Sequence, residues 1–448
     1  MKSTYLFLAL IILMGSVRAQ ENAAGIAGTR KLTVEDCVAI GLKNSKSLHA
    51  SSMNVQAANA QEGQATAARL PSVTLSGSYT RLSTIPGFSL PIGGMVYTIP
   101  TSYPDNYVSQ VSVREPIFTG FKLESGSAAA DNASKATEQD YAGDKSDLAY
   151  TIKASYWGLF QTQEIKKVVD ENVEEVSSHL NDVKNMLDHG MATNNDYLRV
   201  QVQLSNAQLM QIDAQNNVRL ATIALDNVMS VDLGTQVEIA SAPDAGPDSM
   251  HGPDVPASVD TLVKKAIGNR PELKAMQYRV KAAESGVTAA KSGWYPQVSL
   301  FGDYMYSNPN QRYFPAVDQF KDSWDLGVSA SWAIWNWNMT GKQTEQAEAQ
   351  EMQTQDALGQ MQDGVTLEVN QNFLDVRQAA DKIRVSAQGV KQAEESYRVM
   401  DEKFKAGLAL NSDLLDAETA LLQARTNYTQ SLVDFELAQA RLAKSVGE

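Results

Sequence analysis

Two hydrophobic periods follow one another along this chain of 448 residues, and they do so twice in the same order. An Ala- and Gln-rich stretch, Thr33 to Ala68, reads as helix and ends at a proline after a short gap. Val73, Leu75, Gly77 and Tyr79 then alternate with Thr74, Ser76, Ser78 and Thr80, a period of two that predicts a strand over 71–82. A loop carrying Pro86, Pro91, Gly93, Gly94, Pro100 and Pro104 leads to a partner strand over 107–118. From Phe121 to Asp188 the period is helical again. Val169, Val173, Val176, Leu180, Val183 and Leu187 are spaced by fours and threes, the heptad rhythm of a coiled coil. The chain turns at Gly190 and returns through a helix predicted over Asn194 to Met229.

The succession starts again at Val259. A helix over Val259 to Ser292 precedes strands over 296–306 and 324–335, a long helix over Gly341 to Lys405, a turn at Gly407 and a returning helix over Asn411 to Val446. Val390, Ala393, Tyr397, Met400 and Phe404 continue the heptad rhythm. Residue identities follow the pattern: Leu70-Pro71-Ser72-Val73-Thr74-Leu75 aligns with Tyr295-Pro296-Gln297-Val298-Ser299-Leu300, shifted by 225. The stretch from Gly190 to Leu198 aligns with Gly407 to Leu415, shifted by 217. So long a period is a tandem duplication of one module rather than a solenoid unit. The expected organisation is a cleavable leader over 1–19, a first repeat over 20–229, a linker over 230–258 and a second repeat over 259–448. Lys2, the apolar run Leu6 to Met14 and the small residues before Gln20 suggest the leader, with a signal anchor as the alternative. The linker is rich in Pro and Gly, with a short strand expected around Gln236 to Ile239.

Element lengths turn this pattern into a shape. The long helices would span roughly 100 Å and the opening and returning helices roughly 50 Å each, so two short helices stacked end to end match one long helix. Each module becomes a rod with its strands at one end and the Gly190 or Gly407 turn at the other. The strands have the length and the apolar/polar alternation of bilayer-crossing strands. Trp294, Tyr295, Trp335 and Trp337 gather at their helix-proximal ends, where an aromatic girdle would lie. A hairpin packed on a soluble core is the competing reading, weakened because the chain offers no further strands. Four strands cannot close a barrel in lipid, so several copies of the chain must contribute.

Charge and chemistry narrow the function. The formal net charge is -14, and removing Lys2 and Arg18 with the leader makes the chain more acidic, which argues against nucleic acid as a partner. The single cysteine, Cys37, lies on an amphipathic stretch where burial is expected. His49, His179, His189 and His251 lack metal-ligand spacing, and no phosphate loop, zinc motif or nucleophile elbow appears. Neither catalysis nor a cofactor or metal is expected.

The duplicated helix-proline-strand start, the four strands and the two Gly-x5-Asp-x-Leu turns resemble the TolC-like family of outer-membrane efflux and secretion ducts, across essentially the whole mature chain. The resemblance implies a mainly α fold with a β-barrel contribution: a homotrimer whose twelve strands form one barrel in outer-membrane lipid, continued by a periplasmic α-helical barrel. It also implies a periplasmic adaptor protein and an inner-membrane pump of RND, ABC or MFS type as partners. Adaptor docking falls to the tips, here Gly190, Met191, Ala192, Gly407, Leu408 and Ala409. The periplasmic entrance ring falls to Asp413 and Asp416, three apart on one helix face, with Asp196 matching in the first repeat. The plainer reading of Asp196 and Asp413 is an acid in a first helical turn, favoured by the helix dipole. Phe404 and Ala409 depart from relatives that carry a hydroxyl and a basic residue nearby, so polar links at these positions cannot brace the tips. A periplasmic adaptor or structural coiled-coil protein of an envelope-spanning assembly is the alternative function.

Overall fold

The computed structural model describes residues 30–85, 87–99, 103–235, 237–240, 243, 258–314 and 316–448. The expected leader and most of the linker lie outside these residues. The chain begins with β1 (Arg30–Leu32), α1 (Val34–Asn44) and α2 (Lys46–Ala67), then β2 (Ser72–Arg81). A small hairpin, β3 (Phe88–Ile92) and β4 (Met95–Ile99), precedes β5 (Asp105–Phe118). The long helix α3 (Lys122–Asp188) and the returning helix α4 (Asn194–Met229) complete the first half, and β6 (Val237–Ile239) follows. The second half runs through α5 (Val259–Asn269), α6 (Pro271–Lys291), β7 (Gln297–Asn308), β8 (Lys321–Ser331), α7 (Met339–Lys405) and α8 (Asn411–Ser445).

Three features depart from the sequence pattern. Each opening helix is broken in two. Ser45 takes an extended ψ of 120°, and its hydroxyl caps α2 by accepting the Leu48 N–H at 3.2 Å. At the corresponding place Arg270 is extended because Pro271 follows it, and Pro271 opens α6 at the position where its missing N–H costs nothing. Helical periodicity survives such a one-residue break, so the pattern did not reveal it. Secondly, the proline- and glycine-rich segment expected to be a loop contains the β3–β4 hairpin. Thirdly, the strand expected over 324–335 runs from Lys321 to Ser331, leaving Trp332, Ile334 and Trp335 beyond it. The Trp332 indole N–H instead donates to the Trp294 carbonyl at 3.2 Å.

The sheet is antiparallel throughout, in the order β2-β5-β7-β8. Its register aligns Leu75 with Val111, Tyr304 and Trp324, and Val73 with Val113, Gly302 and Leu326. The neighbouring row, Thr74, Ser112, Asp303 and Asp325, falls on the opposite face because side chains alternate along a strand. Asp303 there accepts from Gln110 Nε2 at 2.8 Å and from the Ser112 hydroxyl. One face is thus apolar and exposed, and the other is polar and internally bonded. Both outer strands, β2 and β8, end the sheet without a partner among the described residues.

Below the sheet, α2 packs on the near half of α3 and α4 on its far half, and α6 and α8 do the same along α7. α3 also touches α6 and α8, which joins the two halves of the chain side by side. Entry into each long helix uses two successive left-handed residues, Gly120-Phe121 and Trp337-Asn338, at φ of 63°, 70°, 56° and 60°. Such backbone costs about 1–3 kcal/mol at a non-glycine residue. Phe121 is held there by edge-on packing against Phe118 and Tyr295, at 5.4 and 5.7 Å between ring centroids.

Mid-rod, β1 pairs in parallel with β6, the strand expected near 236–239. They close a core of Leu32, Val34, Cys37, Ile152, Tyr156, Leu225 and Met229. The Tyr156 hydroxyl, buried in that core, donates to the Leu32 carbonyl at 3.1 Å. Cys37 is fully buried, and burial, with Asp36 and Glu35 adding to it, pushes its thiol up to about 12. The native thiolate fraction at pH 8 is therefore about a thousandfold below that of a free thiol. Iodoacetamide should label Cys37 slowly in the native protein and rapidly in denaturant; equal rates would show that the mid-rod core is open.

Candidate functional site: the helix tips and the sheet ends

Both coiled-coil turns are built the same way. Gly190 and Gly407 sit just past the long helices at φ of 74° and 72°, a conformation that favours glycine. The Met191 N–H donates to the Met186 carbonyl and the Gly190 N–H to Leu187, at 2.8 and 2.9 Å; Leu408 to Lys403 and Gly407 to Phe404 repeat both distances. These paired bonds satisfy the last helical carbonyls and stop each helix sharply. The turns leave Met191 and Leu408, 73% and 78% exposed, as apolar points on the tips, while Ala192 and Ala409 pack inward.

The three acids are not equivalent. Asp196 is locked into a capping box, accepting from the Thr193 hydroxyl at 2.6 Å and the Thr193 N–H at 3.0 Å. Those bonds hold its carboxyl below the usual range. The structural role of a first-turn acid accounts for its geometry. In the second half Leu410 stands where Thr193 stood, so the capping hydroxyl is missing, and Asp413 accepts longer bonds from the Leu410 N–H at 3.4 Å and the Ser412 hydroxyl at 3.5 Å. Asp413 and Asp416 are exposed together on the first turns of α8. Asp416 has Arg199 as its first-half counterpart, so this pair of acids occurs once per chain.

At the opposite end, Trp294, Tyr295, Trp335 and Trp337 lie exposed where strands meet helices. Trp335 and Trp337 meet edge to face at 5.7 Å. Phe118, Phe121 and Trp332 join them, residues that sequence reasoning passed over because they fall at element boundaries. A second aromatic group at the far end of the sheet was also missed: Tyr79 and Tyr107 at 5.0 Å, Tyr107 and Phe320 at 5.8 Å, Phe320 and Tyr306 at 5.2 Å. The alternating strand pattern contained Tyr79, Tyr107 and Tyr306, but only pairing register brings them together.

A model of outer membrane efflux proteins matches residues 40–230 and again 262–448. The chain belongs to the outer membrane efflux protein family. Among curated relatives, the alkaline protease secretion protein AprF of Pseudomonas aeruginosa is 22% identical, over 75% of this chain and 69% of AprF. The outer membrane protein TolC of Escherichia coli K12 is 21% identical, over 68% of this chain and 62% of TolC. The toluene efflux pump outer membrane protein TtgC of Pseudomonas putida is 21% identical, over 91% of this chain and 80% of TtgC. The fold is shared with CusC (TM-score 0.79, 17% identity, 96% of this chain and 95% of that one) and with the Campylobacter jejuni CmeC outer membrane channel (0.78, 16%, 92% and 85%).

Within this efflux-family chain the seam between α3 and α8 carries several polar ties between its apolar contacts. Gln161 bonds Gln430, and Arg425 reaches Glu171 at 3.0 Å and Glu175 at 3.4 Å. Burial holds the Glu175 carboxyl above its usual range despite the opposing pull of Arg425. Nearer the tips, His179 Nδ1 lies 3.0 Å from Glu418 Oε1, with side chains only 3% and 0% exposed. His179 also meets Phe404 edge to face at 5.1 Å. Phe404 and Ala409, which lack polar groups to brace the tips, are part of the apolar tip cluster with Val176, Val183, Val200 and Leu414. Polar ties across the tips include Lys405 to Asp182 at 3.9 Å and the Asn411 side-chain amide, which donates to the Asp196 carbonyl at 3.4 Å.

The His179–Glu418 pair was invisible in the sequence because its members are 239 residues apart. It gives a test of the seam. His179→Ala leaves the buried Glu418 carboxyl group without its hydrogen-bond partner and should cost about 1–3 kcal/mol, read from the denaturant midpoint. Glu418→Gln keeps a hydrogen-bonding group without charge and should cost less. A negligible loss in His179→Ala would show that the pair is not buried in the assembled protein.

Proposed function

We propose that this chain is the outer-membrane channel of a tripartite efflux pump or type I secretion system, passing substrate from the periplasm or an inner-membrane pump to the exterior. The observation that carries this reading is that the chain is unfinished on both sides. β2 and β8 leave opposite edges of the sheet unpaired. On α4, Leu198, Val202, Leu209, Ile212, Leu220 and Ile223 form an exposed stripe on one helix face. On α7, Met352, Leu367, Leu374 and Val385 form another. Since α4 and α7 flank the joined pair α3 and α8, copies arranged head to tail would set one stripe against the other as β2 meets β8. Rotation then closes a ring with no free edge. The TolC-like resemblance supports three copies, which would give a twelve-stranded barrel continued by an α-helical barrel in the periplasm.

In that trimer Asp413 and Asp416 supply six carboxylates to the periplasmic entrance, a ring that attracts cations and repels anions. Asp196, engaged by Thr193, contributes less. The exposed Met191 and Leu408 on their glycine turns offer the adaptor apolar contacts, and Trp294, Tyr295, Trp335 and Trp337 mark the periplasmic membrane interface. An inner-membrane pump supplies the energy. The relatives' names point to different cargoes, protease secretion for AprF and toluene efflux for TtgC, so cargo follows the pump rather than this chain.

Isolated outer membranes should yield a heat-modifiable trimer that forms single channels in planar bilayers; a monomer without conductance would sink the reading. Leu209→Asp with Ile212→Asp should shift the trimer towards monomer, since each places a charge in the intersubunit stripe. Asp413→Asn with Asp416→Asn should reduce cation selectivity and block by multivalent cations in the same recordings. Unchanged selectivity would remove these two residues from the entrance.

A further inference from the structure

Between Leu82 and Pro104 the chain carries no Asp, Glu, Lys, Arg or His. This segment leaves the sheet through a narrow neck, where the Leu82 N–H donates to the Pro104 carbonyl at 2.7 Å. The only charges at the neck, Arg81 and Asp105, pair with each other at 3.0 Å. Beyond it the β3–β4 hairpin turns through Gly93 and Gly94 and packs closely against no other described element. Leu82, Ile85, Phe88, Leu90, Met95 and Val96 are all exposed, Val96 at 70%. A lone two-stranded hairpin is marginal in water, and an uncharged, apolar one has still less reason to remain there.

The neighbouring loop at the same end of the sheet is built differently. Arg312 pairs with Asp325 and donates to the Trp324 carbonyl at 2.9 Å, and the Tyr313 hydroxyl donates to the Asp322 carbonyl at 3.2 Å. Through these bonds that loop folds back onto β8. The hairpin instead leaves the sheet beyond the Arg81–Asp105 pair, which ends the apolar face of β2 formed by Val73, Leu75 and Tyr79.

We propose that the β3–β4 hairpin is a lipid anchor, lying in the acyl region of the outer leaflet at the rim of the channel. The inference rests on the reading of the sheet as part of a membrane barrel. Acyl chains fit better than a second copy because exposed apolar residues fall on both faces of the hairpin, Phe88 and Leu90 on one and Pro91 and Val96 on the other. A hairpin docked on protein would keep one face for water. In the membrane-barrel reading the apolar face of β2 lies beside lipid, and the hairpin leaves the sheet at the end of that strand.

Nitroxide labels at Val96→Cys and, separately, at Leu326→Cys test this, in full-length protein carrying Cys37→Ala and reconstituted into phospholipid vesicles. Leu326 lies on the outward apolar face of β8 and reports the barrel itself. Both labels should collide more with oxygen than with a water-soluble nickel chelate. If the chelate reaches Val96 but not Leu326, the hairpin is in water and the anchor is overturned while the barrel stands. If Val96 is shielded from both reagents and shows dipolar broadening between copies, the hairpins cover one another and the anchor is again overturned. If the chelate reaches Leu326, the barrel reading fails and the anchor fails with it.

Discussion

The unpaired edges of the four-stranded sheet constrain everything else in this molecule. A peptide group without a partner in hydrocarbon costs several kcal/mol, so β2 and β8 cannot face lipid bare. The requirement reaches the helices as well. α4 and α7 stand at the sides of the helical assembly with apolar stripes outward, and such stripes on long helices are not tolerated as free surface. Sheet and helices therefore ask for the same thing, a neighbour of the same kind on each side.

The two halves of the chain carry the same succession of long helices and sheet strands, and they differ at the tips and along the seam between them. Thr193 locks Asp196 into a cap, whereas Leu410 leaves Asp413 with longer bonds and exposed beside Asp416. His179 in the first half finds Glu418 in the second, while the duplicated positions hold Ser396 and Gln201 and form no such pair. The kink at Ser45 is a hydroxyl cap, and the matching kink at Arg270 sends a guanidinium to Glu368 and Glu272. Equivalent backbone thus carries unequal polar chemistry, chiefly along the seam between the halves and at the tips.

Much of the fold was legible because it rests on local periods. Heptads gave α3 and α7, each 67 residues long, and alternation gave the four sheet strands with apolar and polar rows on opposite faces. Breaks of a single residue were not legible, since the helical period passes through Ser45 undisturbed. The β3–β4 hairpin was hidden by prolines and glycines that read as loop, although Gly93-Gly94 is a turn that suits a hairpin. At the candidate site, glycine turns and acids could be read from the repeat itself. Their inequivalence depended on which neighbour each carboxylate meets.

The sequence by itself determined the long helices, the four sheet strands and the order in which they recur, because periodicity acts over a few residues and leaves a direct trace. Tertiary structure alone decided the order β2-β5-β7-β8, the polar ties of the α3–α8 seam with their buried His179–Glu418 pair, and the grouping of Tyr79, Tyr107, Tyr306 and Phe320. Those contacts join residues tens to hundreds of positions apart. Side-chain chemistry at one end carries no mark of its partner at the other, and only packing long helices and strands into register brings them together.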